Sequence, residues 1–208
     1  MKPTKTAPSP VQTRNGTRHR IVQATRAHFF SHGFRSVTMD DLARELAISK
    51  KTLYAHFPSK TALLEAVLDD KFAGLESRLK QLSGEHPHNF SSVLNQLLAL
   101  ALHELDEIKP PFVRDMRQKA PHVFDTVQRR RGQLIEKYFG KLFVEGQRAG
   151  MVRKDVPANL IIELLLNAVQ AIVNPAKVEE LGLTPKTAFA SVLNVVLEGV
   201  LTPKGRKI

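Results

Sequence analysis

A proline at position 58 limits what can follow Ser49. Between them lies "KKTLYAHF", and a helix through it cannot pass Pro58 without losing a backbone hydrogen bond. Two helical turns cannot build a core of their own, so the segment must lean on its neighbours. Ser49 can cap this helix through its hydroxyl. The stretch before it, "TMDDLARELA", begins another: Thr38 caps it, Asp41 three residues later completes a capping box, and Leu42, Ala43 and Leu46 face inward. Only "AIS" separates the two, so they must cross steeply, which is the helix-turn-helix arrangement.

In that arrangement the second helix of the pair enters the major groove of duplex DNA with its N-terminal end. Such a helix can be short, because one side anchors it and the other carries donors. Leu53 and Phe57, four apart, supply the anchor, which leaves Lys50, Lys51, Thr52, Tyr54 and His56 as candidates for the exposed side. Lysine can donate to guanine O6 or N7, a threonine methyl can pack on a thymine methyl, and tyrosine can give its hydroxyl to a phosphate. Lys60 stands in the first turn after Ser59, where the helix dipole disfavours a cation, so a phosphate is expected beside it. Composition alone makes a lysine pair a solvated face, Tyr54 a half-packed ring and His56 a helix-end residue. The helix-turn-helix frame is what turns them into candidates.

Charge agrees with that frame. Of a formal net +11, residues 1–60 carry +8, from 11 Lys/Arg against 3 Asp/Glu, so a polyanion is expected to meet the N-terminal end. The chain has no cysteine, which removes disulfides and thiolate metal sites, and it has no apolar run long enough to cross a bilayer. Its start, "MKPTKTAPSPVQTRNG", lacks the apolar core of a secretory signal; residues 1–16 are expected to form a disordered basic arm and the protein to be cytoplasmic, with no membrane partner.

From residue 17 the pattern is helical throughout, giving an all-α expectation: a three-helix unit over 17–58 and a larger, near-neutral helical body over 59–203. Helix one, "TRHRIVQATRAHFFSHG", ends at Gly33, which supplies a positive φ. The fourth helix runs from Ser59 to about Leu82 before "SGEHPHN"; a fifth follows in "FSSVLNQLLALALHELDEI". Pro110, Pro111 and Pro121 cut out a short element before a long helix from about residue 123 to 150. Two more begin at Pro157 and Pro185 in first-turn positions.

The residues quoted so far strongly resemble the DNA-binding domain of the TetR (tetracycline repressor) family of bacterial transcription regulators. The run is "FFSHGF" from Phe29 to Phe34, Thr38, the Leu42–Ala43 pair, Ser49, Thr52, Leu53, Tyr54 and Phe57, then Lys60, Leu63 and Leu64. About 50 residues, from Arg18 to Leu68, carry it; the rest matches only as an all-helical body. The resemblance implies that Thr38 and Lys60 touch backbone phosphates, and that Ser49, Lys50, Lys51, Thr52, Tyr54 and His56 belong to the DNA-facing side. Ala47 stands where the family commonly has Gly, in a turn expected not to need positive φ. Lys51 replaces a small residue, and His28 an aliphatic one, expected to be satisfied within the protein.

Nothing in the sequence points to catalysis, a metal or a cofactor. "HELDE" (103–107) lacks the second histidine of a zinc-protease run and reads as a polar helix end, and His86 and His88 read as loop surface. A different-class alternative is a helical adaptor whose basic end meets acidic protein or anionic membrane. Within the regulator reading, the last two helices carry apolar side chains in nearly every direction, with 160, 161, 162, 164, 165 and 166 all apolar, which suits a homodimer. The resemblance further implies a cavity in the body for a small, largely apolar effector that releases a palindromic operator, and the lack of an identifiable cluster of carboxylates there favours a neutral or anionic one. Met116, Gln133 and Tyr138 are its candidate lining, and the fourth helix its lever.

Overall fold

The computed structural model describes residues 10–85 and 90–205, which form eleven α-helices and one π-helical segment. They are α1 (Pro10–His32), α2 (Met39–Glu45), α3 (Lys50–His56), α4 (Lys60–Glu85), α5 (Phe90–Glu107), α6 (Pro110–Lys119), α7 (Pro121–Ile135), α8 (Lys141–Arg148), α9 (Ala158–Ile172), α10 (Pro175–Glu180) and α11 (Pro185–Val200). The π segment, Glu136–Gly140, joins α7 to α8 without a break. The all-α architecture expected from the periodicity is the one found.

Three differences from the sequence reading have physical causes. First, α1 begins at Pro10, so residues 10–16 of the expected arm are helical; proline is tolerated in a first turn because its missing N–H has no helical partner there. The remainder of that arm, residues 1–9, and the loop histidines 86 and 88 lie outside the described residues. Second, Pro157 has ψ 138° and is the residue before α9, not its first turn, whereas Pro185 does open α11. Third, α10 was not expected at all. Its six residues bury only Val178 and are started by Asn174, whose side chain accepts from the Lys177 amide, so no periodicity announces it.

The turn between α2 and α3 corrects another expectation. Ala47 has φ 51°, in the left-handed region. Its amide bonds the Arg44 carbonyl (3.1 Å) and the Ile48 amide bonds the Ala43 carbonyl (3.0 Å), the pair of bonds that closes a Schellman motif. The turn therefore does require positive φ, and the Cβ of Ala47 is carried there at a steric cost. Gly33, by contrast, meets its φ of 90° with no such cost.

Buried side chains gather in three clusters. The first holds Ile21, Phe29 and Phe30 of α1, Leu42 of α2, Leu53 of α3 and Phe57, and reaches into α4 through Leu63 and Leu64 and into α6 through Phe112 and Met116. The second surrounds Leu94, Leu97, Phe143 and Ile161; the third joins Leu165 and Val169 of α9 to Phe189 and Leu193 of α11. "HELDE" turns out to be structural: Lys71 of α4, only 7% exposed, donates to Glu104 (2.6 Å) and to Glu107, and Glu107 also accepts from Arg26 Nε of α1 (2.7 Å). Burial alone raises the Glu107 pKa, but its bonds to Lys71 and Arg26 outweigh that and hold it below the ordinary carboxylate value.

Two outcomes follow. Ala47→Gly, at an exposed position, is expected to raise unfolding stability by about 0.5 to 1 kcal/mol in urea titration. Glu107→Gln is expected to cost about 1 to 2 kcal/mol, less than a fully buried pair because Glu107 keeps some water contact. Because the folded pKa of Glu107 is depressed, its contribution is complete above the ordinary value of 4.5 and lost as pH falls through the folded value. Urea titrations at descending pH are therefore expected to show the variant and wild type converging on the acid side.

Candidate nucleic-acid interface

The anchoring of α3 is complete: Leu53 is 0% and Phe57 2% exposed, while Lys50, Lys51 and Tyr54 are exposed on the opposite side. Ser49 caps the helix, its Oγ accepting from the Thr52 amide at 3.0 Å and sharing a hydrogen bond with Thr52 Oγ1 at 2.8 Å. Thr52 is thus half-buried and already engaged. Tyr54 is 47% exposed, too open for the packed-ring reading. His56 is half-buried beside the Phe57 ring, centroids 6.5 Å apart.

Thr38 caps α2 as expected: its Oγ1 accepts from the Asp41 amide (3.1 Å) and donates to Asp41 Oδ2 (2.5 Å). The Thr38 hydroxyl, helped by Arg44, holds the Asp41 carboxyl below its usual pKa. Lys50 is not free in this structure, since its Nζ donates to Asp40 Oδ2 at 2.6 Å. Both partners are exposed, so this ion pair is weak and easily exchanged for another acceptor. Sequence reasoning missed Asp40. Arg18 and Arg20 were also missed; one sits 5.0 Å over the Phe57 ring and the other donates to the Leu46 carbonyl at 3.2 Å, placing both against the helix-turn-helix unit. The uneven charge along the chain was their only signal.

Lys60 has an internal reason for its place at the start of α4. Its Nζ lies 4.6 Å from the Phe34 ring centroid and 3.4 Å from the Arg35 carbonyl oxygen. Burial lowers its pKa, with the nearby Asp115 carboxylate pulling the other way. The cation is held by a ring face and a carbonyl as well as being available to a phosphate at the surface. His28 is satisfied within the protein, 2.7 Å from Glu45 Oε1.

Residues 21–67, the stretch that folds into this unit, match the model of bacterial regulatory proteins of the tetR family. The DNA-binding unit of this chain is that of the tetR family. The regulator is 28% identical over 189 residues to the HTH-type transcriptional regulator UidR of Escherichia coli strain K12, covering 89% of this chain and 93% of that one. Its fold matches the SmeT–triclosan complex, SmeT being the repressor of a Stenotrophomonas maltophilia multidrug efflux pump, with a TM-score of 0.65 at 16% identity over 90% of this chain and 93% of that one. It also matches the ketosteroid regulator KstR2 of Mycobacterium tuberculosis, with a TM-score of 0.59 at 20% identity over 90% and 96% of the two chains. The regulator is therefore a sequence-specific DNA-binding protein of transcription. Among the described residues no helix is long and apolar enough to cross a membrane, and no group of three or more His, Asp or Glu is placed to hold a metal.

A second candidate site lies in the body: a cavity of about 1110 Å³ walled by α4, α5, α6, α7, α9, α10 and α11. Of the three residues read as its lining, Met116 stands in the wall and Gln133 and Tyr138 do not. Gln133 is exposed on the far side of α7, since Arg131 and Leu134 are the residues whose helical phase meets the wall. Tyr138 lies in the π segment, whose extra residue per turn brings Phe139 to the wall instead. The Tyr138 ring is core, and its hydroxyl is buried without a hydrogen-bond partner among the described residues.

Lys60→Met keeps an apolar stem against Phe34 while removing the charge. In fluorescence anisotropy it is expected to weaken specific and random duplexes by similar factors and to lower the salt slope by about one phosphate contact. Lys51→Ala, at an exposed lysine, is expected to cost about 1 to 3 kcal/mol on the specific site and to lower the ratio of specific to random affinity.

Proposed function

We propose that the regulator is a homodimeric repressor that a small, largely apolar effector releases from a palindromic operator. One observation carries the coupling. Phe112 and Met116 of α6 belong both to the core of the helix-turn-helix unit and to the cavity wall, so a ligand cannot press on this wall without pressing on that core.

The same short helix grips α1 and its turn directly. The Lys109 amide, at the start of α6, donates to the Phe30 carbonyl at 3.1 Å, and the Phe30 and Phe112 rings meet edge to face with centroids 5.0 Å apart. Asp115 Oδ2 accepts from the Arg35 amide at 2.9 Å. A Cβ on Gly33 would lie 2.7 Å from that carboxylate oxygen, so a side chain there would displace the carboxylate that holds the Arg35 amide. The lever is therefore α6 as well as α4, whose Lys71 ties the wall to Glu107 and through it to Arg26 of α1.

Dimerisation is supported by the divided faces of α9 and α11. Ile161, Ile162 and Leu165 turn inward while Leu160 (47% exposed) and Leu164 (54%) face outward, and Val195 of α11 is 74% exposed. A second copy of the chain is the occupant that symmetry supplies for such a face. Two α3 helices would then present Lys50, Lys51, Thr52, Tyr54 and His56 to successive major grooves about 34 to 36 Å apart, with Thr38, Ser49 and Lys60 beside the phosphates. Lys50 would exchange Asp40 for its DNA acceptor. The solved complex of SmeT with triclosan is in keeping with an apolar ligand in a body of this fold.

Release has a thermodynamic condition. The effector must bind the released conformation more tightly than the DNA-competent one, and DNA must weaken effector binding by the same factor. Selecting duplexes from a random pool is expected to enrich a site with two-fold symmetry, and ligands that stabilise the free protein are then titrated against the bound site. Unchanged operator affinity in the presence of every tight ligand would sink the sensor and leave the DNA-binding assignment intact. In sedimentation equilibrium at tens of micromolar wild type is expected to be a dimer, and Leu164→Glu a monomer that retains its helical circular dichroism.

A further inference from the structure

The cavity wall is largely aliphatic and aromatic, with Leu68, Phe72, Leu97, Leu165 and Phe189 among its residues, yet Arg131 of α7 stands in it. Two other basic groups near it are paired. Lys71 is bonded to Glu104 and Glu107, and neighbouring Arg130, which points away from the cavity, is paired with Asp69. Arg114 and Arg117 also line the wall, but both are exposed on α6. Unlike them Arg131 is largely buried, and it too has no carboxylate, carbonyl or hydroxyl partner among the described residues.

Its surroundings make that absence costly. Burial among apolar side chains depresses the Arg131 pKa below the usual guanidinium range, and no neighbouring charge opposes the shift. Its surface is only partly exposed, and it contributes to the cavity lining. A guanidinium stays protonated under such pressure, so the site holds a desolvated positive charge with five fixed donors and no acceptor. A cation left unpaired in an apolar wall destabilises the empty protein, and a ligand that supplies the anion removes the penalty. The planar fork matches a carboxylate through two parallel hydrogen bonds, which a neutral hydroxyl cannot reproduce.

We infer that the cavity selects an apolar molecule bearing one carboxylate-like anionic group, and that Arg131 binds that group. This rests on the cavity being the effector site, and it adds the charge that an effector must carry. The opposite sign is disfavoured by the same wall, because Glu104, its inner acid, is already neutralised by Lys71, while Glu179 is exposed.

The test compares 1-pyrenebutyrate with 1-pyrenebutanol, which share an apolar body and differ in the anion, by fluorescence titration of the full-length protein. Wild type is expected to bind the acid at least about tenfold more tightly than the alcohol. Arg131→Met is expected to abolish that preference by weakening the acid while leaving the alcohol nearly unchanged, and Arg131→Lys to retain part of it. The melting temperature of Arg131→Met without ligand is expected to equal or exceed that of wild type, because the variant removes an unpaired buried charge; a marked fall would mean that the guanidinium is a structural group and would overturn the assignment. Equal affinities of acid and alcohol in wild type, no binding of the acid, or a preference that survives Arg131→Met would each overturn it as well. Mobility shifts on the selected duplex read the other question separately. Arg131-dependent binding of the acid without loss of DNA affinity supports the anion site and defeats the effector mechanism, whereas release by the alcohol as readily as by the acid supports the mechanism and defeats the anion site.

Discussion

The packing of α6 against α1 is the constraint on which the rest of the regulator depends. A three-helix unit of about fifty residues buries too little surface to be rigid alone, and here its core is completed from outside by Phe112 and Met116. The Phe30–Phe112 edge contact, the Lys109 amide on the Phe30 carbonyl and the Asp115 carboxylate on the Arg35 amide fix α6 at three points along the end of α1. Both ends of α6 are set by proline, at 110 and 121, so the helix has little freedom to fray and passes displacement on as a unit.

Charge is arranged around the same seam. Lys71 is nearly buried and would be expensive alone, but Glu104 and Glu107 satisfy it, and Arg26 extends the group to α1. The network thus joins α4, α5 and the first helix of the DNA-binding unit with every charge matched. Arg131 is the contrast, since it is desolvated in the cavity wall and no acid matches it among the described residues. The difference between a structural charge and a receptive one is whether the protein itself supplies the counter-ion.

On the DNA-facing side the side chains divide by whether the fold already uses them. Ser49 and Thr38 spend their hydroxyls on caps, Lys50 rests on Asp40 and Lys60 on the Phe34 ring, while Lys51 and Tyr54 stand exposed. Exposed ion pairs of the Lys50–Asp40 kind are cheap to exchange, and this exchange keeps a basic helix satisfied until a polyanion arrives.

The helix-turn-helix was legible in the sequence because its signals are local: caps at Thr38 and Ser49, a glycine at 33, a proline at 58, and anchors at Leu53 and Phe57 all act within one or two turns. Helix periodicity likewise announced the body, and the surplus of apolar residues on α9 announced that it has two apolar faces. The short α10 and the left-handed Ala47 escaped because one has a single buried residue and the other is imposed on an ordinary residue by the turn that surrounds it. Gln133 and Tyr138 failed as cavity residues for a related reason: a helical face is only an angle until neighbours occupy it, and a π segment shifts that angle without any mark in the composition. By itself the sequence determined the elements, their caps and the basic reading helix, since those follow from nearest-neighbour chemistry. Only the tertiary structure decided that α6 belongs to two sites at once and that Arg131 faces a cavity unpaired, because both depend on which distant helices come together.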